Sequence, residues 1–277
     1  MHVRVCLETL SFEHVHICFA SLQTTMILST QRVTVLVLCV VVLCSVVYCI
    51  SEHVMNNSQR WFADELPDPQ ELVNWTKTEM DEKLFKLSRW NGFNSSQQYN
   101  LFVEHQINGL HLNNSNESFY FLEAGVGVGA FTRHILELFP HATGHGIDLE
   151  EKVIAIAAQV LPKNRVTLSV GNMMYINLRS GIFDYVFVPG AICYLHSLIH
   201  VMFAISEFAR VLKVGGGVCL SMIASDTSPT GTCVTRIPKS TFTSNRYNLQ
   251  VVSMEEMNDW HLSHDMGRYA TCLRKMA

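Results

Sequence analysis

Short strand-like runs alternate with helical periods along the second half of this chain. Residues 119–122, 142–147, 166–170, 182–188 and 218–223 are brief and mostly apolar or β-prone, bounded largely by glycine, proline or polar positions. Runs of that length and bounding predict buried strands. Between them, 130–138, 151–159 and 198–212 carry apolar residues at helical spacing. In the last of these, Ile199, Met202, Phe203, Ile205, Phe208, Ala209 and Leu212 fall on one broad face. Ahead of the first strand, 71–87 and 97–110 predict helices. Beyond the fifth, 226–247 is rich in Ser, Thr, Gly and Pro and predicts an irregular loop. Residues 249–253 and 269–275 predict two last strands, with a short helix-like insertion beginning at 254–261.

The junction between the first strand and its helix reads Glu123-Ala124-Gly125-Val126-Gly127-Val128-Gly129. Glycine suits a strand–turn–helix junction because the turn takes dihedrals that side chains resist, and because a ligand must lie against bare backbone. The helix start beyond it offers free N–H groups to that ligand. Glu123, just before the glycines, implies a ligand with a cationic or hydroxyl-rich part. Gly125-x-Gly127-x-x-Ala130 also satisfies the dinucleotide pattern, and a glycine turn without any nucleotide is equally open at this point. The second strand ends at Asp148, about twenty residues on, where a carboxylate accepts hydrogen bonds from both hydroxyls of a ribose. Asp148 is also placed to cap the helix that follows, and Leu149 beside it is placed to pack on an adenine.

Two further segments bear on the choice. The third strand leads into Gly171-Asn172-Met173, and the fourth, Phe183-Asp184-Tyr185-Val186 onward, ends at Val188-Pro189-Gly190. The long helix closes on Glu207-x-x-Arg210-Val211-Leu212-Lys213-Val214-Gly215-Gly216-Gly217, where a basic last turn followed by glycine makes a helix C-terminus. Taken together and in this order, these pieces resemble the class I S-adenosylmethionine-dependent methyltransferases of the small-molecule type, over about 119–223 and more loosely to the C-terminus. The resemblance implies an α/β fold with a Rossmann-like doubly wound sheet, mostly parallel, with a reversed hairpin strand at its C-terminal end. It implies S-adenosyl-L-methionine as cofactor, held by Glu123, Ala124, Gly125, Gly127, Asp148, Leu149, Asn172, Met173, Val188 and Pro189. In that reading Glu123 faces the methionine amino group and Asp148 holds the ribose. Asn172 replaces the family's usual aspartate at the adenine amine, Met173 meets the adenine edge, and Val188, Pro189 and Gly190 border the sulfonium. Val214 replaces a usual proline. Cys219 and Cys272 fall in strands that are neighbours in the family's sheet, which makes a bridge between them possible in principle, with buried free thiols as the expectation.

The first half of the chain is organised differently. The protein has 277 residues and a net charge of −4, and much of its apolar content sits in residues 33–50, an uncharged 18-residue run broken only by Thr34 and Ser45. A run of that length is sufficient for a transmembrane helix, and a cleaved signal peptide cut near Cys49-Ile50-Ser51 is the rival reading. Sequons at Asn56, Asn74, Asn94, Asn113 and Asn116 all lie between this run and the first strand, which points to a lumenal or extracellular catalytic domain on a single-pass membrane protein. The expected organisation is therefore a terminal segment at 1–32, a transmembrane helix at 33–50, a stem at 51–68, a helical lead-in at 69–118 and a cofactor-binding domain at 119–277. The nine cysteines match no zinc or C-x-x-C spacing, and no metal site is expected. No basic run favours nucleic acid.

Methyl transfer needs alignment and exclusion of water more than a dedicated base. Cys193, Tyr194, His196 and His200 follow the fourth strand, His196 being chemically the most apt, and His261, His264 and Asp265 lie in the C-terminal insertion. None is singled out as catalytic. Three functions remain open: methyl transfer to a small-molecule or lipid-like acceptor, a cofactor-binding scaffold without catalysis, and a nicotinamide-dependent reductase. The last leaves the 183–186 and 207–217 motifs unexplained and lacks a Tyr-x-x-x-Lys pair.

Overall fold

The structure, a computed structural model, describes residues 96–112, 115–224, 235–243, 246–256 and 268–277. All of them belong to one compact unit, Gln59–Ala277. The 33–50 run, the 71–87 helix and the His261, His264 and Asp265 positions lie outside the described residues. Among the described residues no helix is long and apolar enough to cross a membrane.

A helix α1 (Ser96–Gly109) precedes strand β1 (Tyr120–Ala124). Helix α2 (Ala130–Leu138), β2 (Thr143–Asp148), α3 (Glu151–Val160), β3 (Val166–Val170) and β4 (Phe183–Pro189) follow. A 3-10 turn (Ile192–Tyr194), α4 (Leu198–Val211), β5 (Leu212–Ala224), a short α5 (Ser240–Thr243), β6 (Leu249–Glu256) and β7 (Arg268–Lys275) complete the order. The strands form one seven-stranded sheet in the order β3-β2-β1-β4-β5-β7-β6. All pairings are parallel up to β5, and β7 runs antiparallel between β5 and β6. The α/β class, the mostly parallel sheet and the reversed strand thus match the expectation.

The period-two alternation of each strand divides the core into two layers. From β1 and β4, Phe121 and Phe187 pack with Phe131 and Ile135 of α2 and with Phe102 of α1. Leu122, Ala124, Val186 and Val188 face the other way, onto Val201, Ala204, Ile205 and Phe208 of α4. Helices on both faces explain why the parallel strands read as apolar runs rather than as alternating ones. Gly144 and Gly146 in β2 are steric requirements: a Cβ on Gly144 would lie 2.5 Å from the Phe121 ring, and one on Gly146 would lie 2.7 Å from Leu168.

Four expectations need correction. The last helix stops at Val211, and Leu212 already pairs with Phe183 as the start of β5. The glycines at 215–217 therefore lie in an irregularity of that strand, with Gly215 at φ +81°, and do not cap the helix. Met254, Glu255 and Glu256 continue strand β6, where the sequence predicted a helix-like insertion; their register on Thr271, Ala270 and Tyr269 decides the conformation. Within 226–247, Ser240–Thr243 forms one helical turn. Finally, Cys219 and Cys272 face each other across β5 and β7, with Cα atoms 4.2 Å apart, and form a disulfide where free thiols were expected.

Candidate cofactor site

Strand order reverses between β1 and β4, so the loops leaving these two strands diverge to opposite faces and open a crevice at their carboxyl ends. Four loops meet there. The β1–α2 turn is pinned to β2 by two backbone bonds, Gly125 and Val126 N–H to the Ile147 carbonyl at 2.8 and 2.9 Å. Gly127 N–H donates to Asp148 Oδ2 at 3.0 Å. A Cβ on Gly125 would lie 2.3 Å from Ala191 Cβ, after β4, and 3.8 Å from Met173 Cε, after β3. Gly125 therefore sits where the loops after β1, β3 and β4 touch, and its φ of +81° is a second reason for glycine.

Gly127 differs in an informative way. It also takes a left-handed φ, +54°, yet a Cβ built on it would meet nothing within 4 Å. Open space over exposed backbone is what a ligand pressed against the turn requires. Beyond it, α2 begins after Gly129, which has no side chain to cap it, and of its first-turn N–H groups that of Thr132 goes to Glu123.

Glu123 is 1% exposed. Thr132, in the first turn of α2, donates both its backbone N–H (3.0 Å) and its hydroxyl to Glu123 Oε2. Both of these bonds reach the same carboxyl oxygen. Burial pushes the carboxyl up to about 8, the Thr132 donors oppose that rise, and the charge of Asp148 adds to it. The two acids thus sense each other across one site. The Asp148 carboxyl is also raised by burial, against the pull of backbone N–H groups of Glu150, Gly127 and Leu149. Glu150, not Asp148, is the N-cap of α3. Asp148 instead spends Oδ1 on Glu150 N–H at 3.2 Å and Oδ2 on Gly127, and a carboxylate with about four lone-pair sites can still accept from a ligand.

The remaining expected positions are less uniform. Leu149, Asn172 and Met173 are half-buried at the crevice. Asn172 Oδ1 accepts Met174 N–H at 2.8 Å, so the oxygen expected to receive the adenine amine is already used once to shape its own turn. Ala124 and Val188 are fully buried in the α4-side core, so they can offer a ligand only backbone. Pro189 is half-buried, and Gly190 beyond it takes φ +74°.

Thr132 and Tyr99 were not legible in the sequence, and the role of the Glu207–Arg210 pair was only half so. Thr132 fixes Glu123. Tyr99 of α1 is buried close enough to Glu123 for that charge, after burial itself, to hold its phenol well above the usual range. Arg210 and Glu207 shape the loop after β3: the Arg210 guanidinium donates to the carbonyls of Ile176 (2.6 Å) and Leu178 (2.8 Å), while Glu207 Oε2 accepts Ile176 N–H at 2.7 Å. The Glu-x-x-Arg spacing was the available signal, since it puts both groups on one side of α4.

No base emerges among the residues after β4. The Cys193 thiol donates to the Gly190 carbonyl at 3.0 Å, and burial pushes it up to about 11. Burial likewise takes the Tyr194 phenol to about 12. His196 is exposed, and His200 is held below its usual value by burial and then by His196, which makes it a weaker base.

Residues 122–220 match the family model described as a methyltransferase domain. No curated protein matches the chain. Among solved structures, magnesium protoporphyrin IX methyltransferase (ChlM) from Synechocystis PCC 6803, with bound SAH, is 13% identical at TM-score 0.54, over 71% of this chain and 96% of that one. Geranyl diphosphate C-methyltransferase from Streptomyces coelicolor A3(2) is 12% identical at TM-score 0.52, over 64% and 77%. The [4+2]-cyclase SpnF is 16% identical at TM-score 0.54, over 64% and 81%. These likenesses establish the fold. With the domain match, residues 122–220 are similar to the methyltransferase domain family, and S-adenosylmethionine is the cofactor indicated.

Proposed function

We propose that this chain is an S-adenosylmethionine-dependent methyltransferase acting on a small-molecule or lipid-like acceptor. The observation that carries the reading is the open, backbone-lined space at Gly127 between two buried acids, Glu123 and Asp148. Glu123 Oε1 would take the methionine ammonium, Gly125 and Gly127 would admit the chain between, and Asp148 would hold the ribose. Leu149 and Met173 would pack on the adenine, with Asn172 beside its amine, and the Ala124, Val188 and Pro189 backbones would edge the methionine and sulfonium. The cofactor supplies a methyl group on a positively charged sulfur, already activated for displacement. An acceptor seated beside the bound cofactor would take that methyl group through its lone pair, the carbon–sulfur pair staying on sulfur and the acceptor's proton passing to solvent. The protein's part is alignment and dryness.

The apolar run at 33–50 would anchor the domain to a membrane, with the sequons at 56–118 on the lumenal or extracellular side. No basic face suited to nucleic acid was read in the sequence. A second reading, a cofactor-bound protein that does not transfer methyl, draws on the same fold in the cyclase SpnF.

Incubating the full chain with methyl-labelled S-adenosylmethionine and a metabolite and lipid extract separates these readings. Label entering one fraction with wild type and not with Asp148→Ala supports methyl transfer. Donor binding with no label transferred to any fraction would favour the second reading.

A further inference from the structure

We propose that Arg268 and Ser221 form the far end of the acceptor site and hold an oxyanion, so that the acceptor carries a carboxylate or a phosphate. This rests on the methyltransferase reading above and adds the acceptor's chemical class. Ser221 lies in β5 opposite Pro189, and its carbonyl accepts Gly190 N–H at 3.3 Å. It is therefore one strand away from the loop that would border the sulfonium. Arg268 opens β7 opposite Ala224, one strand further along the same edge. Two strand spacings across and up to three residues along, the Arg268 backbone stands roughly 12–14 Å from the end of β4, a span suited to a small molecule.

Two observations mark this corner as unfinished among the described residues. Ser221 is 0% exposed and its Oγ has no hydrogen-bond partner, and Arg268 Nε is buried and equally without one among the described residues. A buried polar group left unpaired costs about 1–3 kcal/mol, and such groups in folded proteins call for an explanation. The carboxylates nearest in register are committed elsewhere. Glu255, opposite Ala270, pairs with His105 Nε2 at 3.0 Å, and Glu256, opposite Tyr269, pairs with Lys239.

The positive charge nevertheless reaches the crevice. Arg268 acts on both Cys193 and Tyr194, favouring their ionised forms against burial. Cys219, Ala270 and Cys272 line the α1 side of the sheet; alternation from Ala270 puts Arg268 on that side, and alternation from Cys219 puts Ser221 there, at the start of the register shift between Leu220 and Ile223, on the side where Tyr99 and Glu123 also lie. Arg offers donors only, in a planar fork that matches a carboxylate or phosphate, and a serine hydroxyl adds a third donor. An oxyanion satisfies all of them at once.

The test uses the full chain, with and without S-adenosylhomocysteine, and four probes at matched ionic strength: benzoate, benzamide, phenyl phosphate and phenol. Binding is read from the thermal midpoint across a titration. The expected result is saturable stabilisation by benzoate or phenyl phosphate and none by the neutral pair; which anion binds identifies carboxylate or phosphate. Arg268→Gln should weaken that binding at least ten-fold, Arg268→Lys by less, and Ser221→Ala a few-fold, with the response to S-adenosylhomocysteine unchanged. Anion binding that survives Arg268→Gln and Ser221→Ala, equal binding of the neutral probes, or no anion binding by wild type overturns the proposal. Loss of the S-adenosylhomocysteine response in wild type would instead strike the methyltransferase reading, while the anion arm still reports on Arg268.

Discussion

Asp148 Oδ2 accepts the backbone N–H of Gly127 at 3.0 Å, so the acid ending β2 also holds the glycine turn leaving β1. One side chain thereby shapes the backbone surface and, in the proposed reading, would also present the ribose acceptor. Asp148→Ala should weaken S-adenosylhomocysteine binding ten-fold or more, since a hydrogen bond to a charged group contributes about 1.5–3 kcal/mol. Asp148→Asn keeps one acceptor oxygen and should lose less. Titration calorimetry on the three proteins measures the difference; equal affinities would remove Asp148 from the site.

Glu123 gives a pH dependence with a definite sign. Its carboxyl rises from the usual 4.5 to about 8 on folding. The folded state thus binds this proton more tightly, and the contribution is full below about 4.5 and lost as pH climbs to about 8. Urea midpoints at pH 5 and pH 8 should show a fall in wild type that Glu123→Gln reduces. Pairing with a ligand ammonium should also ionise Glu123, so binding near pH 7 should release a proton. Calorimetry in buffers of different ionisation heat reads that release directly.

The two glycines should fail differently. In Gly125→Ala the methyl would meet Ala191 at 2.3 Å on a backbone at φ +81°, so folding itself suffers and the thermal midpoint should drop by several degrees. In Gly127→Ala the methyl enters empty space, with only the left-handed backbone to strain, at about 1–2 kcal/mol. That variant should fold and lose cofactor binding. A Gly127→Ala protein that binds S-adenosylhomocysteine normally would mean that no ligand approaches this turn.

Arg210 is a positioning residue, working through the loop that carries Asn172 and Met173. Arg210→Lys keeps the charge and loses the fork that reaches Ile176, Leu178 and Glu207 together. Cofactor affinity should fall while the far-ultraviolet spectrum is retained. Hydrogen exchange should rise at 172–178 and stay unchanged at 125–129; uniform change across both segments would point to a general loss of stability.

Much of this was legible in the sequence because parallel strands covered on both faces write themselves as apolar runs, and because Gly125 answers to a close contact and Gly127 to a left-handed backbone, both of which favour glycine. The ends of elements were harder. Leu212 and Met254 follow their strand partners, Phe183 and Thr271, and such long-range register leaves no local signal. Thr132 looks like an ordinary helix residue until the fold brings it onto Glu123. The Cys219–Cys272 bond depends in the same way on two strands separated by 53 positions. Asn172 was read as a ligand to adenine, but its oxygen serves its own turn first.

The central claim is that the crevice at the ends of β1 and β2 takes an adenosyl sulfonium compound and not a dinucleotide. Calorimetric titration of the wild-type chain with S-adenosylhomocysteine and with NADH tests it most directly. Saturable one-site binding of S-adenosylhomocysteine and no heat from NADH is the result expected; binding of NADH in its place, or of neither, would contradict the account.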